Sequence, residues 1–385
     1  MTESASAAPG RRGVAIIGAG AIALTHIRAV RAVPSLELVG VAARTRDSAA
    51  RFLRDNGLDS DWAIEPVAAM TIDDALSDPR VGLVAIATPT GTHVELGMRA
   101  LEAGRHVLIE KPVDIDPHRA RPLVETAARA AAQHGLVAAA VSQQRYSPAA
   151  DRVRAHLDDG GFGALTSAVA SVGWWRSQRY YDSAEWRGTW AQDGGGALMN
   201  QGIHTLDLLL WMLGPARRVT ARSAVLAHER IEVEDTLTAL VEFESGALAT
   251  VHATTAAYPG LAARLQIMGT RGSAVIEHGD LRYLHLARTS DDGSGRDNGN
   301  AADVGDMGLH GTANQIDAPD PELSRDATVD ASGHARQYTA LADDIRLGRR
   351  HRVTIADAVD TLTVIDAIYR SAATGLPVDI PRPLT

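Results

Sequence analysis

Two short stretches of this chain combine residue types that can move a proton. In Glu110-Lys111-Pro112, a lysine directly follows the apolar run His106 to Ile109. Burial, or a neighbouring cation, lowers a lysine pKa toward values useful for acid–base work. A surface salt bridge is the competing use of the same residue. The second stretch is Gly194-Gly195-Gly196-Ala197-Leu198-Met199-Asn200-Gln201-Gly202-Ile203-His204-Thr205-Leu206-Asp207. Three glycines before a helical pattern permit close backbone approach. Asn200 and His204 are four apart and share a helix face, and Asp207, three beyond His204, can orient its ring. A lone core histidine is the plain alternative, but three polar groups at these spacings on an apolar helix point to a site.

A third stretch speaks to a cofactor. Gly18-Ala19-Gly20-Ala21-Ile22-Ala23 matches G-x-G-x-x-A between an apolar strand and a helical pattern. In that context Gly18, Gly20, Ala21 and Ile22 present backbone to a pyrophosphate at a helix amino terminus. The next strand ends Val41-Ala42-Ala43-Arg44-Thr45-Arg46, with no acid to bind a ribose 2′-hydroxyl. Arg44 can instead face a 2′-phosphate, which favours NADP over NAD; an ordinary surface arginine is the alternative. Aromatic residues make up only 4% of the chain, yet Trp174, Trp175, Trp186 and Trp190, with Tyr180 and Tyr181, fall just before the glycine-rich stretch. Flat rings can stack on the C–H faces of a sugar, though core packing or an oligomer interface would use them as well. Trp174, Arg145, Asn200 and Asp207 are the expected substrate contacts.

These residues need elements to hold them. From 13 to 142, apolar runs (Val14 to Ile17, Leu36 to Ala42, Leu83 to Ala87, His106 to Ile109, Val137 to Val141) alternate with helical patterns such as Ala21 to Ala32 and His93 to Ala103. That rhythm predicts an α/β domain with a doubly wound parallel sheet, whose strand carboxyl ends face a ligand. From 143 to 385 the rhythm changes. A helix over 148–158 and a strand over 165–172 precede the glycine-rich helix, expected over 194–213. Strands over 218–227, 235–244, 247–254, 263–268, 273–277 and 281–285 follow without helices, and glycines at 246, 272 and 279 suit hairpins. This predicts an open, mostly antiparallel sheet with a helix on one face. Helices over 334–347 and 355–374 close the chain.

Composition sets the outer bounds. A chain of 385 residues is expected to form two domains. With 45% hydrophobic and 22% charged residues it is globular, and no apolar run is long and clean enough to cross a bilayer. The absence of cysteine excludes disulfides, thiolate catalysis and Cys-based zinc sites, and no metal is expected. A net charge of -9 offers no basic face for nucleic acid. Between 289 and 332, ten acidic residues face only Arg296 and Arg325, so that segment carries -8 of the -9. Having no aromatic residue and few aliphatic ones, it is expected to be a mobile surface insertion, with a lid or partner contact as the other uses. Arg11-Arg12 before an apolar stretch imitates an export signal, but cleavage would remove the first strand. Residues 1–12 are expected to be a flexible tail on a cytoplasmic protein.

Taken together, the motifs resemble the glucose–fructose oxidoreductase and inositol dehydrogenase (Gfo/Idh/MocA) family over nearly the whole chain. The resemblance rests on the turn at Gly18, on Ala87-Thr88-Pro89 with His93 downstream, on Glu110-Lys111-Pro112, and on residues 194 to 204. It implies an amino-terminal Rossmann domain, with Thr88, Pro89, His93 and Glu110 beside the cofactor. It also implies a catalytic Lys111, a cis bond before Pro112, and His204 as the acid–base histidine. The carboxy-terminal sheet is implied as the interface of a homodimer or homotetramer. Many members carry Asp where this chain has Asn200, which cannot take a proton, so the acid–base work would fall on His204 and Lys111. The expected activity is hydride transfer between a nicotinamide and a ring carbon of a sugar, sugar derivative or cyclitol. A lyase, epimerase or glycosidase using a held cofactor, and a cofactor-binding regulator, are the alternatives.

Overall fold

The computed structural model describes residues 11–58, 67–287 and 331–384. Nearly all of the acidic 289–332 segment, and the tail up to residue 10, lie outside the described residues. The chain divides into two compact units, one built from 1–143 and 325–359 and the other from 144–324 and 360–384.

The first unit holds six strands: β1 (Arg12–Ile17), β2 (Leu36–Ala43), β3 (Ala68–Thr71), β4 (Val81–Ile86), β5 (His106–Ile109) and β6 (Ala138–Ala140). All pair in parallel, in the order β3-β2-β1-β4-β5-β6, which is the order of a Rossmann sheet. Val14, Ala15, Ile16 and Ile17 are each 0% exposed, so the strand reads as an unbroken apolar run because both faces are covered. Gly18 ends it with φ +130, and a Cβ there would lie 2.3 Å from the Ala87 carbonyl oxygen. Only glycine lets β1 and β4 finish side by side at that point.

The strand β1 opens at Arg12, and the Arg11 Nε donates to the Leu36 carbonyl at 2.9 Å, so order reaches further into the expected tail than composition suggests. The chain also returns to this unit. The helix Ser332–Leu347 places Tyr338, Leu341 and Ala342 in the core with Val14, Ile27, Val30 and Leu83. Gln337 on that helix accepts from the Ser142 amide at 3.1 Å and donates to the Ala140 carbonyl at 2.8 Å. A division at 142/143 therefore does not give a self-contained first domain: part of its core comes from nearly 200 residues downstream.

The second unit contains an eight-stranded sheet. Its strands are β7 (Leu165–Gly173), β8 (Ala216–Ala224), β9 (Thr236–Phe243), β10 (Leu248–Thr254), β11 (Arg264–Gly269), β12 (Gly272–Glu277), β13 (Asp280–Leu286) and β14 (Val378–Asp379). The order is β13-β12-β11-β7-β10-β9-β8-β14, antiparallel except where β7 meets β10. In β9 and β10 alternate residues are buried, and the helix Ile203–Leu213 packs on β7 and β11. β8 stops at Ala224, earlier than its apolar pattern suggests. The amides of Leu226, Ala227 and His228 bond to the Asp235 carboxylate and not to a neighbouring strand. Among the described residues no helix is long and apolar enough to cross a membrane.

The helix Ser332–Leu347 is expected to be part of the Rossmann core. Leu341, 0% exposed, should cost about 2–5 kcal/mol of stability when replaced by Ala, measured by urea unfolding. A loss well under about 1 kcal/mol would show that this helix only lies against the unit.

Candidate active site

In the first unit the chemistry gathers at the carboxyl ends of the strands. Lys111 follows β5, is half-buried, and joins Pro112 through a cis bond. Behind it Glu110 is buried. One carboxylate oxygen accepts the Lys111 amide at 3.0 Å; the other accepts from His26 Nε2 at 3.0 Å and lies 3.6 Å from His334 Nε2. The Tyr338 hydroxyl meets His26 Nδ1 at 2.7 Å, so a neutral His26 can donate to Glu110 and accept from Tyr338. Burial pushes the Glu110 carboxyl up, but the two histidines outweigh it and hold the group well below the usual carboxylate range. Sequence grouped Glu110 with the cofactor residues; here its carboxylate is turned inward and holds the lysine's backbone.

His93 is also interior, 1% exposed. Its Nδ1 faces the Pro112 carbonyl at 2.9 Å and its Nε2 the Thr88 carbonyl at 2.8 Å. Burial lowers its pKa, and the two carbonyls pull the other way. The ring ties the turn after β4 to the lysine turn after β5. Thr88 is half-buried and shares a 2.7 Å hydrogen bond with Thr92, whereas Pro89 is exposed. Among the described residues, His26, Glu110 and His334 form a group that could hold a metal, their ligand atoms lying within 4.8 Å of one another.

A dinucleotide fits the turn after β1. Gly20 caps the helix Ala21–Arg31 without a side-chain hydrogen bond, and a Cβ on it would meet nothing within 4 Å. Ala21 and Ile22 are exposed, and while the Ala23 amide bonds the Gly20 carbonyl at 3.1 Å, the first amides of a helix lack the i−4 partner that later ones have. Open space at a helix amino terminus suits a pyrophosphate. Arg44 is exposed and forms no ion pair among the described residues, while the neighbouring Arg46 bonds Asp74 at 2.8 Å. Thr45 caps the next helix through the Ser48 amide.

In the second unit the glycine-rich stretch begins as irregular backbone. A π-helical turn, Leu198–Gly202, then leads into the helix Ile203–Leu213. The helix therefore starts later than periodicity suggests, and Glu234 is the reason. Its buried carboxylate accepts from the Gly196 and Leu198 amides, both at 2.9 Å, and from the Tyr369 hydroxyl at 3.0 Å. A Cβ on Gly196 would lie 1.8 Å from the Glu234 carbonyl oxygen, and one on Gly195 2.2 Å from the Tyr369 hydroxyl. The glycines thus make room for the group that caps the helix. The Asn200 amide donates to Asp193 and to the Gly195 carbonyl, each at 3.0 Å, and His204 is half-buried one turn on.

Arg145 and Asp207 meet each other. The guanidinium grips the carboxylate through Nε at 2.8 Å and Nη2 at 2.6 Å, and Thr361 adds a bond at 3.2 Å; both charged residues are buried. A bidentate buried pair of this kind fixes the helix Ile203–Leu213, and so fixes His204. Trp174 is half-buried and the Arg176 guanidinium lies over its ring at 5.6 Å. Sequence reasoning missed Glu234, Tyr369, Asp193, His26 and His334. Asp193 carries a signal, since it abuts the glycines, and His26 is a polar residue on an apolar helix face. Glu234 and Tyr369 are 38 and 173 residues from Gly196, with no local mark.

Residues 12–137 match the family model described as an oxidoreductase family with an NAD-binding Rossmann fold, and residues 150–275 match the GFO/IDH/MocA C-terminal domain. The chain belongs to the Gfo/Idh/MocA family. As a Gfo/Idh/MocA chain it is 26% identical to the scyllo-inositol 2-dehydrogenase (NAD(+)) of Bacillus subtilis (strain 168), over 96% of this chain and 97% of the relative. It is 25% identical to the scyllo-inositol 2-dehydrogenase (NADP(+)) of the same organism, covering 78% and 79%. The WlbA dehydrogenase from Bordetella pertussis, solved with NADH and UDP-GlcNAcA, superposes with a TM-score of 0.75 at 25% identity, covering 97% of this chain and 99% of that one.

The helix cap should carry a pH signature. Burial raises the Glu234 carboxyl from its ordinary 4.5 to about 7, although the Leu198 and Gly196 amides and Tyr369 pull it back. A carboxyl raised on folding contributes stability below its ordinary pKa and loses it as the pH climbs through the raised value. Wild type should therefore lose stability relative to Glu234→Gln between about pH 5 and about pH 8. Melting curves in which the difference between the two proteins stays constant across that window would show that Glu234 does not titrate there.

Proposed function

We propose that this protein is an NAD(P)-dependent oxidoreductase that transfers a hydride between the nicotinamide and a hydroxyl-bearing ring carbon of a sugar, sugar derivative or cyclitol. The observation that carries the reading is Lys111 at the carboxyl end of β5 in an NAD-binding Rossmann unit, its backbone held by a buried carboxylate. The inositol dehydrogenases among its relatives support the substrate class. Bound, the cofactor would supply the hydride acceptor or donor. Lys111 and His204 take and return the hydroxyl proton, and in reduction they polarise the carbonyl. Asn200, unable to carry a proton, orients the substrate. Glu110 and His93 position Lys111, while Arg145, Asp207 and Glu234 position the helix of His204.

For the cofactor the reading is NADP over NAD. It rests on Arg44, exposed and free of ion pairs among the described residues where an acid would select NAD. For assembly the reading is a homodimer or homotetramer through the carboxy-terminal sheet. Leu240 and Leu248 stand 58% and 57% exposed on the outer face of β9 and β10, which is costly surface to leave in water.

Three outcomes are expected. A panel of sugars and cyclitols offered with NAD⁺ and NADP⁺, followed by nicotinamide absorbance, should yield at least one substrate with net cofactor turnover. On it, Lys111→Met and His204→Ala should each lower kcat by about 10²–10⁴-fold with little change in cofactor affinity. The double variant should lose less than the product of the two. Near-normal turnover of Lys111→Met would remove the lysine from the chemistry. By fluorescence titration NADPH should bind more tightly than NADH, and Arg44→Ala should erase the difference; tighter NADH binding in the wild type would reverse the cofactor assignment.

A further inference from the structure

Among the described residues, two arginines near the glycine-rich stretch in sequence form no ion pair. Arg176 follows β7, its backbone pinned by the Thr255 carbonyl at 2.9 Å and by His228 Nε2 at 2.8 Å. Its guanidinium lies over the Trp174 ring at 5.6 Å and the Tyr180 ring at 4.9 Å. Arg187 lies over the same Tyr180 ring at 4.3 Å and over Trp186 at 4.6 Å. Both side chains are half-buried, and the Nε atom of each is fully buried without a hydrogen-bond partner. Among the described residues neither forms an ion pair.

Two cations gathered on one aromatic ring repel each other, and a buried guanidinium N–H without an acceptor costs free energy. Ring stacking offsets part of that cost and leaves the donor edge of each planar fork open. An oxyanion is the group whose charge and acceptor geometry match two such forks. The position is tied to the proposed substrate site within the same unit. The Asp193 carboxylate accepts the Gly188 amide, next to Arg187, at 2.8 Å, and with its other oxygen accepts the Asn200 side chain at 3.0 Å. One carboxylate thus bonds both Asn200 and the residue after Arg187.

We propose that Arg176 and Arg187 recognise an anionic group on the substrate, so that the sugar this enzyme takes carries a carboxylate or a phosphate. The proposal rests on the dehydrogenase reading only for the sugar-like character of the ligand. The two guanidiniums supply the charge and a planar donor edge, and the rings of Trp174, Tyr180 and Trp186 hold them in place.

The test uses the full chain with its preferred cofactor. Glucuronate and galacturonate probe the carboxylate, glucose 6-phosphate the phosphate, and glucose and myo-inositol are the neutral controls. Both kcat/KM and calorimetric binding are measured for wild type, Arg176→Gln and Arg187→Gln, with melting temperatures to establish folding. One anionic class should be preferred over the neutral sugars. Each Gln variant should shrink that preference by about 10- to 100-fold, the range of a hydrogen bond to a charged group. Arg176→Lys and Arg187→Lys, which keep the charge without the fork, should fall between. A preference for neutral sugars, or a ratio that none of the four variants moves, overturns the proposal and leaves the dehydrogenase reading standing. Arginine-dependent binding of an anionic sugar with no change in nicotinamide absorbance supports the anion site and overturns the dehydrogenase reading.

Discussion

A carboxylate taken out of water must be met by donors, and two such carboxylates hold the two stretches proposed to carry the chemistry of this protein. Glu110 sits behind Lys111 and bonds its amide; Glu234 sits behind the glycine-rich turn and bonds the Gly196 and Leu198 amides. An unpaired buried charge is far more costly than a paired one, so each carboxylate constrains the backbone around it as strongly as its donors constrain it. The lysine and the histidine helix are held from behind by groups that need not touch substrate.

The two anchors differ in charge state. Glu110 has histidines for neighbours and stays ionised, with Tyr338 completing the chain through His26. Glu234 has only amides and a phenol, and burial lifts it to about 7. Glu110 is therefore ionised near neutrality, whereas the Glu234 carboxyl, raised to about 7, is expected to change charge there.

Glycine works differently in the two units. At Gly18 it permits two strands to end together, and at Gly20 it leaves room for a ligand. At Gly195 and Gly196 it leaves room for the protein's own Tyr369 and Glu234. Similar runs in the sequence thus serve opposite ends, one opening space and the other closing it. Spacing alone cannot tell them apart, because the atoms that fill the second come from distant residues.

By itself the sequence determined the parallel sheet, the dinucleotide turn and the lysine after β5, because each is a local pattern of period or spacing; the shared face it predicts for Asn200 and His204 assumes α-helical spacing, whereas Asn200 lies in a π-helical turn. Tertiary structure alone decided what those residues lean on. That the helix Ser332–Leu347 completes the first unit's core, that Arg145 grips Asp207, and that Glu234 caps the glycine-rich helix are contacts between residues 38 to 312 apart. The same holds for Arg176 and Arg187, which nothing in their neighbourhood of sequence marks as lacking an acid. A side chain's partner is set by packing and by the need to satisfy buried polar groups, and neither leaves a periodic trace along the chain.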